Sequence, residues 1–397
     1  MSTTDLRIRV LPKIADIPAQ AWDACANPAQ AASQDTPYNP FISHDFLLAL
    51  EASASATGRT GWQPQHLVAE GPDGAVAGVA PCYLKSHSRG EYVFDGGWAE
   101  AYERAGGSYY PKLQVSVPFT PATGRRLLVA PGPEADSVRG GLAAGLVELT
   151  RLREASSVHV TFMPEAEWRL LGERGFLQRT DQQFHWENAG YATFDDFLNA
   201  LAARKRKAIR RERREALEPG IEVQWLTGSD LTEGVWDAFF AFYMETGSRK
   251  WGRPYLTRAF YSMVGASMAD RILLVMAKRA GRYIAGAINF IGGDTLFGRH
   301  WGATEHHPFL HFELCYYQAI DYAIAHKLRV EAGAQGEHKL ARGYMPVTTY
   351  SAHYIDDPAL RRAVADYLKR ERAYVASSGI ELAAMGPFRK HLVAEET

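Results

Sequence analysis

The chain has 397 residues, of which 46% are hydrophobic and 12% aromatic, and its 44 basic and 45 acidic residues leave a formal net charge of −1. One hydrophobic core usually stops growing at about 250–300 residues, so this length predicts two folded domains. The balanced charge excludes a global field that would attract nucleic acid or an anionic membrane, and any polyanion site must be local.

The three cysteines and the first residues predict the compartment. Cys25, Cys82 and Cys315 are far apart and lack CxxC spacing, which argues against a disulfide framework and a zinc site. Residues 1–18 contain no apolar signal segment, and no stretch is long enough to span a bilayer. We expect a cytoplasmic protein without membrane insertion.

The first half alternates strands and helices. Residues 6–10 alternate as a strand, and Ser43 is the expected N-cap of an amphipathic helix. Residues 65–84 predict a hairpin around the turn 71–74, whose Gly-Pro-Asp-Gly composition is typical of turns. A helix and two strands are expected after it, at 141–153, 157–162 and 175–186.

The second half repeats this order. A helix is predicted at 195–217, a strand at 221–226, a helix at 235–246, and a hairpin at 272–278 and 283–291. Two short strings recur: Pro-Phe-Ile-Ser at 40–43 matches Pro-Tyr-Leu-Thr at 254–257, and Ala-Gly-Val at 77–79 matches Ala-Gly-Ala at 285–287. The offsets of 214 and 208 residues favour a duplicated domain with a boundary near 180–188, although short apolar strings also recur by chance.

Several segments resemble one family of bacterial enzymes. They are a basic helix at 197–216 followed by Gly220 and a strand, Gly-Arg-His-Trp-Gly-Ala at 298–303, the helix at 312–320, and the glycine-rich segment 333–344. With the pieces at 39–43 and 109–112, they resemble the FemAB-like or peptidoglycan-biosynthesis N-acyltransferases of the GNAT superfamily.

The resemblance implies an α/β fold with mixed sheets and two tandem GNAT-like acyltransferase domains. We expect an N-terminal domain at 1–183 and a C-terminal domain with the active site at 184–397. The implied reaction moves an acyl or aminoacyl group from acyl-CoA or aminoacyl-tRNA to a small-molecule or peptide amine, without a metal. Residues 306–311 replace the usual pyrophosphate-binding loop of GNAT enzymes, so the donor stays undecided.

Amine acylation needs a base and donors to the oxyanion. Glu313 is one candidate base, because it begins a helix with an apolar face, and a solvated first-turn acid is the alternative. Glu337 and His338 are further catalytic candidates, because they follow glycines that allow a ligand to approach the backbone, and an ordinary charged turn is the alternative.

Other residues are candidates for substrate binding. In the second half, Arg299, His300 and Trp301 are expected to line the site, and Lys339 and Arg342 to hold an anionic group, unless those two only cap the surface. In the first half, an aromatic, glycine-punctuated stretch suits a saccharide or peptide groove; Tyr109 and Lys112 are its predicted ligands, and core packing is the alternative.

The cationic run from Arg204 to Arg214 is the strongest charge feature. It predicts either tRNA binding or, slightly favoured, a solvated helix face, because no aromatic residues interleave to stack on bases.

His307 and His311 have Pro308 between them and are expected in a loop or pocket rather than on a metal. No phosphate loop, Rossmann glycine motif or serine elbow occurs. The alternative to an enzyme is a non-catalytic module that binds cell-wall fragments or a protein partner.

Overall fold

A computed structural model describes residues 6–28, 36–251, 254–333 and 336–389. The chain forms two compact units. The first comprises the described residues up to Asp181 together with Thr348–Ala376, and the second comprises Gln182–Val347 and the described residues from Ser377 onward. The boundary expected between 183 and 184 lies close to the first crossing, whereas the sequence does not predict the return of Thr348–Ala376 to the first unit.

The described residues form fifteen β-strands. They are β1 Arg7–Leu11, β2 Trp62–Pro64, β3 His66–Glu70, β4 Val76–Ala80, β5 Cys82–Lys85, β6 Lys112–Val115, β7 Leu128–Val129, β8 Ser157–Met163, β9 Leu177–Trp186, β10 Ile221–Leu226, β11 Ile272–Arg279, β12 Arg282–Ile291, β13 Thr295–Ala303, β14 Arg329–Glu331 and β15 Met345–Ile355.

Twelve α-helices accompany them in the described chain. They are α1 Ala19–Ala26, α2 His44–Ala52, α3 Gly96–Arg104, α4 Ala135–Leu152, α5 Glu165–Glu173, α6 Phe194–Ala200, α7 Ala203–Leu217, α8 Glu233–Trp251, α9 Arg258–Ser267, α10 Leu310–Phe312, α11 Gln318–His326 and α12 Pro358–Ala384. A π-helical turn, Glu313–Tyr317, joins α10 to α11, and a 3-10 helix covers Glu337–Arg342.

The first unit contains two sets of strands. One is antiparallel with the order β1-β3-β4-β7, and the other has the order β2-β5-β6-β8-β15. In the second set, β6 and β8 are parallel and the other neighbours are antiparallel. Helix α4 packs on these strands through buried leucines such as Leu142 and Leu146, which form the apolar core of this unit.

The second unit is organised around the strand order β10-β11-β12-β13-β14-β9. All neighbours are antiparallel except β13 and β14, which are parallel. The π-helical turn and α11 bury Leu314, Tyr317 and Ile320 in the main apolar core of this unit. The mixed α/β class predicted from the sequence is confirmed.

Local signals explain many of these elements. The Ser43 hydroxyl accepts the backbone N–H of Phe46 and so caps α2 as expected. The predicted hairpins are confirmed as β3–β4 and β11–β12. The helix predicted over 195–217 is instead two helices, because the chain breaks at Leu201–Ala202, where the Ala202 N–H donates to the Pro387 carbonyl at 2.9 Å.

Among the described residues, no helix combines the length and apolar character that crossing a membrane requires.

Candidate functional site

Strands β13 and β14 of the second unit run side by side for three residues and then separate. Their parallel pairing ends where Phe297 lies opposite Glu331. Strand β13 continues to Ala303 and stays paired with β12 along its other edge. Beyond Phe297, β14 no longer pairs with this edge of β13, and the Ala303 N–H donates instead to the Thr246 hydroxyl at 3.3 Å.

A β-bulge shapes β13 at this point. Opposite the single residue Ile288 of β12, β13 places two residues, Arg299 and His300. A bulge twists its strand and redirects the side chains on it. Arg299, His300 and the following Trp301 are three of the substrate-binding residues predicted from the sequence.

A cavity of about 90 Å³ lies where the two strands separate. Its walls come from β12, β13, the residue after β14 and the helical segment that follows β13. The lining residues are Ala287, Ile288, Asn289, Gly298, Arg299, His300, Trp301, His311, Cys315, Tyr316 and Ala332. The structure thus brings the predicted Arg299, His300 and Trp301 together around one cavity.

The indole of Trp301 has an unused donor. Its Nε1 atom is buried and has no hydrogen-bond partner in the part of the chain that the structure describes. An indole N–H can only donate, and burying it without an acceptor costs roughly 1–3 kcal/mol. A ligand oxygen in the cavity would remove this cost.

Arg299 lines the cavity and lowers the pKa of two nearby basic side chains. Burial, and to a smaller extent the charge of Arg299, lowers the pKa of His300 to about 3, so this histidine is neutral at pH 7. Burial lowers the pKa of Lys339 to about 8; the cavity residue Cys315 opposes this shift, and Arg299 adds a smaller lowering. The cavity therefore combines a neutral imidazole with cationic neighbours.

Aromatic and imidazole rings close the helical side. The ring of His311 lies 4.7 Å from that of Trp301 and 5.3 Å from that of Tyr316, measured between centroids. The predicted catalytic residue His338 is exposed, and its Nε2 lies 2.9 Å from the Tyr316 hydroxyl. Tyr316 lines the cavity, so His338 connects to it through one hydrogen bond.

Lys339 is almost fully buried and holds the end of β14. Its Nζ donates to the carbonyls of Ala332 at 2.6 Å and Gly333 at 3.0 Å. Gly333 has a φ of +79°, a left-handed conformation that favours glycine. The ammonium of Lys339 thus forms its hydrogen bonds within the protein. Its binding of an anionic substrate group stays a prediction.

Arg342 is also engaged within the second unit. Its Nη2 donates to both carboxylate oxygens of Glu212, at 3.0 and 2.9 Å, and its guanidinium lies 3.4 Å from the centre of the Phe312 ring. Its Nη1 donates to the His338 carbonyl at 2.8 Å. Arg342 thus anchors the backbone of the candidate base His338, and its binding of a substrate anion stays a prediction.

Glu313 is fully buried, but it is not among the residues that line the cavity. Its carboxylate accepts from Nε and Nη2 of Arg213 at 3.1 and 2.9 Å, and from Nε2 of Gln318 at 2.7 Å. Arg213 also donates to Asp321 at 2.6 Å. This buried network joins α7 to the segment that follows β13, and the catalytic role of Glu313 stays a prediction. The side chain of Glu337, the other predicted acid, lies outside the described residues.

Tyr109 and Lys112 lie in the interior of the first unit. Lys112 Nζ donates to Glu91 Oε2 at 2.6 Å and to the carboxylate of Asp95, and the Tyr109 hydroxyl donates to Asp95 at 2.8 Å. Both residues are fully buried, and they belong to a different unit from the cavity. Their predicted contact with a substrate stays a prediction.

The same polar interior contains a pair of histidines that the sequence does not indicate. His159 and His353 approach at 2.6 Å between their Nδ1 atoms, and His159 Nε2 lies 2.8 Å from the Ser157 hydroxyl. Burial, and to a smaller extent the ammonium of Lys112, lowers the pKa of His159 to about 3. Because 194 residues separate the two histidines, no local pattern predicts their pairing.

Sequence reasoning also missed part of the cavity. Asn289 and Cys315 line it but lie within patterns typical of a buried strand and a helix core, which gave no sign of a site. His311 was expected in a loop or pocket, and it is a lining residue. Among the described residues, no three His, Cys, Asp or Glu side chains are grouped so as to hold a metal ion.

Comparison with solved structures shows the fold of the whole chain. The crystal structure of FemX matches with a TM-score of 0.54 and 14% identity, over 88% of this chain and 98% of that one. The C-terminal domain (DUF2156) of a putative lysylphosphatidylglycerol synthetase from Agrobacterium fabrum matches with a TM-score of 0.50 and 8% identity, over 89% and 96%. A tandem GNAT protein from the clavulanic acid pathway matches with a TM-score of 0.47 and 13% identity, over 89% and 99%.

The matches to FemX and to the synthetase domain show a mixed α/β fold. The sequence profile of the FemAB-like family, described as peptidoglycan biosynthesis and recognition, matches residues 13–390. The chain belongs to the FemAB-like family, as the sequence resemblance implied. No curated protein matches it.

Proposed function

We propose that the chain is an N-acyltransferase that transfers an acyl or aminoacyl group to an amine of a cell-wall precursor, with the donor group in the cavity of the second unit. The observation that carries this proposal is the small cavity beside the end of the β13–β14 pairing, where the indole N–H of Trp301 has no hydrogen-bond partner among the described residues. Membership of a peptidoglycan-related family supports the cell-wall acceptor.

The site contains groups suited to this reaction. The amine attacks the acyl carbonyl, a base takes its proton, and hydrogen-bond donors stabilise the oxyanion. The unpaired Nε1 of Trp301 is a donor for that oxyanion. Of the predicted bases, His338 is favoured, because it is bonded to the cavity residue Tyr316, whose own pKa is raised by burial so that its hydroxyl stays protonated.

Two classes of acyl donor are compatible with the cavity and with the surface of α7. A thioester such as acyl-CoA would place its acyl group in the cavity. Aminoacyl-tRNA is favoured by the exposed cations of α7, among them Arg204, Lys207, Arg211 and Arg214. The three cysteines are free, which supports a proposed cytoplasmic site of action.

The test uses two substitutions at Gly298, which lines the cavity. A Cβ built on Gly298 has its nearest contact at 3.4 Å, an ordinary distance, so Gly298→Ala is the matched control. Gly298→Leu should fill the gap between the strands. Purified protein is incubated with acyl-CoA thioesters, charged tRNA and amine-bearing cell-wall peptides, and acylated peptide is measured by mass spectrometry.

We expect acylated peptide from the wild type and from Gly298→Ala, and a loss of about 10²-fold or more in Gly298→Leu. Thermal unfolding of each variant checks that it is folded. If Gly298→Leu turned over as fast as the wild type, the donor would not bind in this cavity. Stabilisation by cell-wall fragments, with no product from any donor, would favour the non-catalytic binding module instead.

A further inference from the structure

The ring of the proposed base His338 is exposed, so contacts with its neighbours must fix its position. Its Nε2 lies 2.9 Å from the hydroxyl of Tyr316, and its ring packs on that of Phe312 with the centroids 5.7 Å apart. A Cβ built on Gly336 would lie 2.6 Å from Cε1 of His338, so the imidazole lies directly against the backbone of this glycine. These contacts define one position for the ring.

The guanidinium of Arg342 contacts both the backbone of His338 and the ring on which His338 packs. Its Nη1 donates to the His338 carbonyl at 2.8 Å, and its central carbon lies 3.4 Å from the centre of the Phe312 ring. A planar guanidinium with donors in a fixed fork can make such contacts at the same time. Arg342 is therefore placed to hold the whole His338 segment.

Glu212 of α7 orients Arg342 in turn. Both of its carboxylate oxygens accept from Nη2 of Arg342, at 3.0 and 2.9 Å, and the Tyr317 hydroxyl donates to the same carboxylate. The side chains of Arg342 and Glu212 are only 8% and 13% exposed, so water screens this ion pair less than a surface pair. A residue of the basic helix thus fixes the arginine that contacts the proposed base.

We propose that Glu212 and Arg342 are positioning residues that hold the imidazole of His338 in hydrogen-bond contact with the neighbouring tyrosine. The inference rests on the proposed function, because it requires His338 to be the base. In the proposed reaction, the amine gives its proton to the hydroxyl oxygen of Tyr316 while the Tyr316 proton passes to Nε2 of His338. This transfer needs the His338 tautomer that carries its proton on Nδ1.

The first experiment reads the tautomer of His338 and needs no substrate. The histidine rings are labelled with a nitrogen isotope, and NMR spectra are recorded at about pH 8, where an unperturbed imidazole is neutral. The variant His338→Gln identifies the signal of this ring. We expect protonated Nδ1 and unprotonated Nε2 in the wild type. Arg342→Gln should give a mixture of both tautomers, because the ring is no longer held at Tyr316.

Two further variants separate geometry from charge and from folding. Arg342→Lys keeps the positive charge, but a single ammonium does not reproduce the fork that contacts Glu212 and the His338 carbonyl, so it should also give the mixture. The double variant Glu212→Gln with Arg342→Gln removes both charges, so no unpaired charge stays buried. It should give the mixture as well, and thermal unfolding checks that each variant is folded.

Arg258→Gln is the matched control. Arg258 belongs to the same unit, and its Nη2 donates to the Glu233 carboxylate at 2.8 Å and to the Glu233 carbonyl at 3.0 Å. It therefore contacts a carboxylate and a backbone carbonyl, as Arg342 does. Its replacement should leave the tautomer of His338 as it is in the wild type.

The second experiment measures turnover with the donor and the cell-wall peptide that the wild type uses. Arg342→Gln and Glu212→Gln should each lower kcat by about 10²-fold, because the base is misplaced. The KM for the donor should change by less than about threefold, since neither residue lines the cavity. The double variant should be no slower than Arg342→Gln, because the two residues act through one contact.

The outcomes separate this inference from the proposed function. Product from the wild type together with the wild-type tautomer in folded Arg342→Gln, or in the folded double variant, would overturn the inference and leave the proposed function standing. Wild-type His338 with its proton on Nε2 would also overturn the inference. No product from the wild type with any donor would remove the proposed function, and the role of His338 as a base with it.

Discussion

Each unit contains one pair of parallel strands, and the two pairs end differently. In the first unit, β6 and β8 pair up to Val115 and Val160. The next carbonyl of β8, that of Thr161, accepts from Nε of Arg126 at 2.8 Å. In the second unit, β13 and β14 pair up to Phe297 and Glu331, and a cavity follows.

The difference shows two ways of satisfying the backbone where parallel strands separate. Buried backbone groups must find a partner in the protein, in water or in a ligand. Arg126 and Lys339 both donate to the carbonyl of the residue that follows the parallel pairing, Thr161 in the first unit and Ala332 in the second. In the second unit, a cavity lies beside the other strand, and this supports assigning the proposed donor site to that unit.

The largest expected effect concerns Arg126. Its side chain is 1% exposed, and it donates to the carbonyls of Ala122, Gly124, Arg125 and Thr161. Arg126→Ala would leave these acceptors without their donor, and we expect it to lower the free energy of unfolding by roughly 3–5 kcal/mol. Urea denaturation followed by circular dichroism measures this change.

Arg169→Ala is the control for Arg126→Ala. Arg169 is exposed and pairs with Glu165 one helical turn away, so its loss should change stability little. If the two alanine variants were equally stable, Arg126 would not hold the end of β8, and the comparison between the units would fail.

An intermediate effect is expected from the pH dependence of the first unit. The pKa of His159 is about 3 in the folded chain, against about 6.5 for an unperturbed histidine. As the pH falls below about 6.5, the unfolded chain binds a proton that the folded chain does not, so stability is lost on acidification. Between pH 7.5 and 5, this one group should cost about 2 kcal/mol.

His159→Gln removes that titration, so its free energy of unfolding should fall less than that of the wild type between the two pH values. Urea denaturation at pH 7.5 and 5 gives the comparison. The control is His306→Gln, because that side chain is exposed. If the free energy of unfolding fell equally in the wild type and in His159→Gln between pH 7.5 and 5, His159 would be protonated in the folded chain as readily as in the unfolded chain.

The sequence predicts elements whose signals are local. The cap of α2 by Ser43 and the hairpins formed by β3–β4 and β11–β12 depend on residues that are close in the chain. The break between α6 and α7 depends on a bond from Ala202 to Pro387, which lies 185 positions later. No helical pattern in residues 195–217 contains that information.

The candidate site shows the same limit. Arg299, His300 and Trp301 are adjacent on one strand, so a family-like motif was enough to place them together. The partner of Glu313 is Arg213, exactly one hundred positions away, and the sequence left open whether that carboxylate faces solvent. Pairings between distant residues decide which charged side chains are held in ion pairs inside the fold and which remain available to a ligand. The composition of a segment does not predict these pairings.

The smallest effect is expected from four exposed cations of α7, Arg204, Lys207, Arg211 and Arg214, which lie within one face of the helix. Replacing all four with glutamine should leave the fold intact, because the buried side of the helix is unchanged. We expect the wild type to bind tRNA weakly through this face. Each lost phosphate contact should reduce the slope of log affinity against log salt concentration by about 0.7–0.9.

Filter binding at several salt concentrations measures this affinity for charged and uncharged tRNA. The two should bind alike if the α7 face contacts only the phosphates of the tRNA, because both ligands carry the same phosphates. A matched control neutralises four exposed cations outside α7, namely Arg104, Arg362, Lys369 and Arg370. Equal affinity and salt dependence in the α7 variant and the wild type would make this face a solvated surface. Tighter binding of charged tRNA would instead indicate an aminoacyl donor, because only the aminoacyl group distinguishes the two ligands.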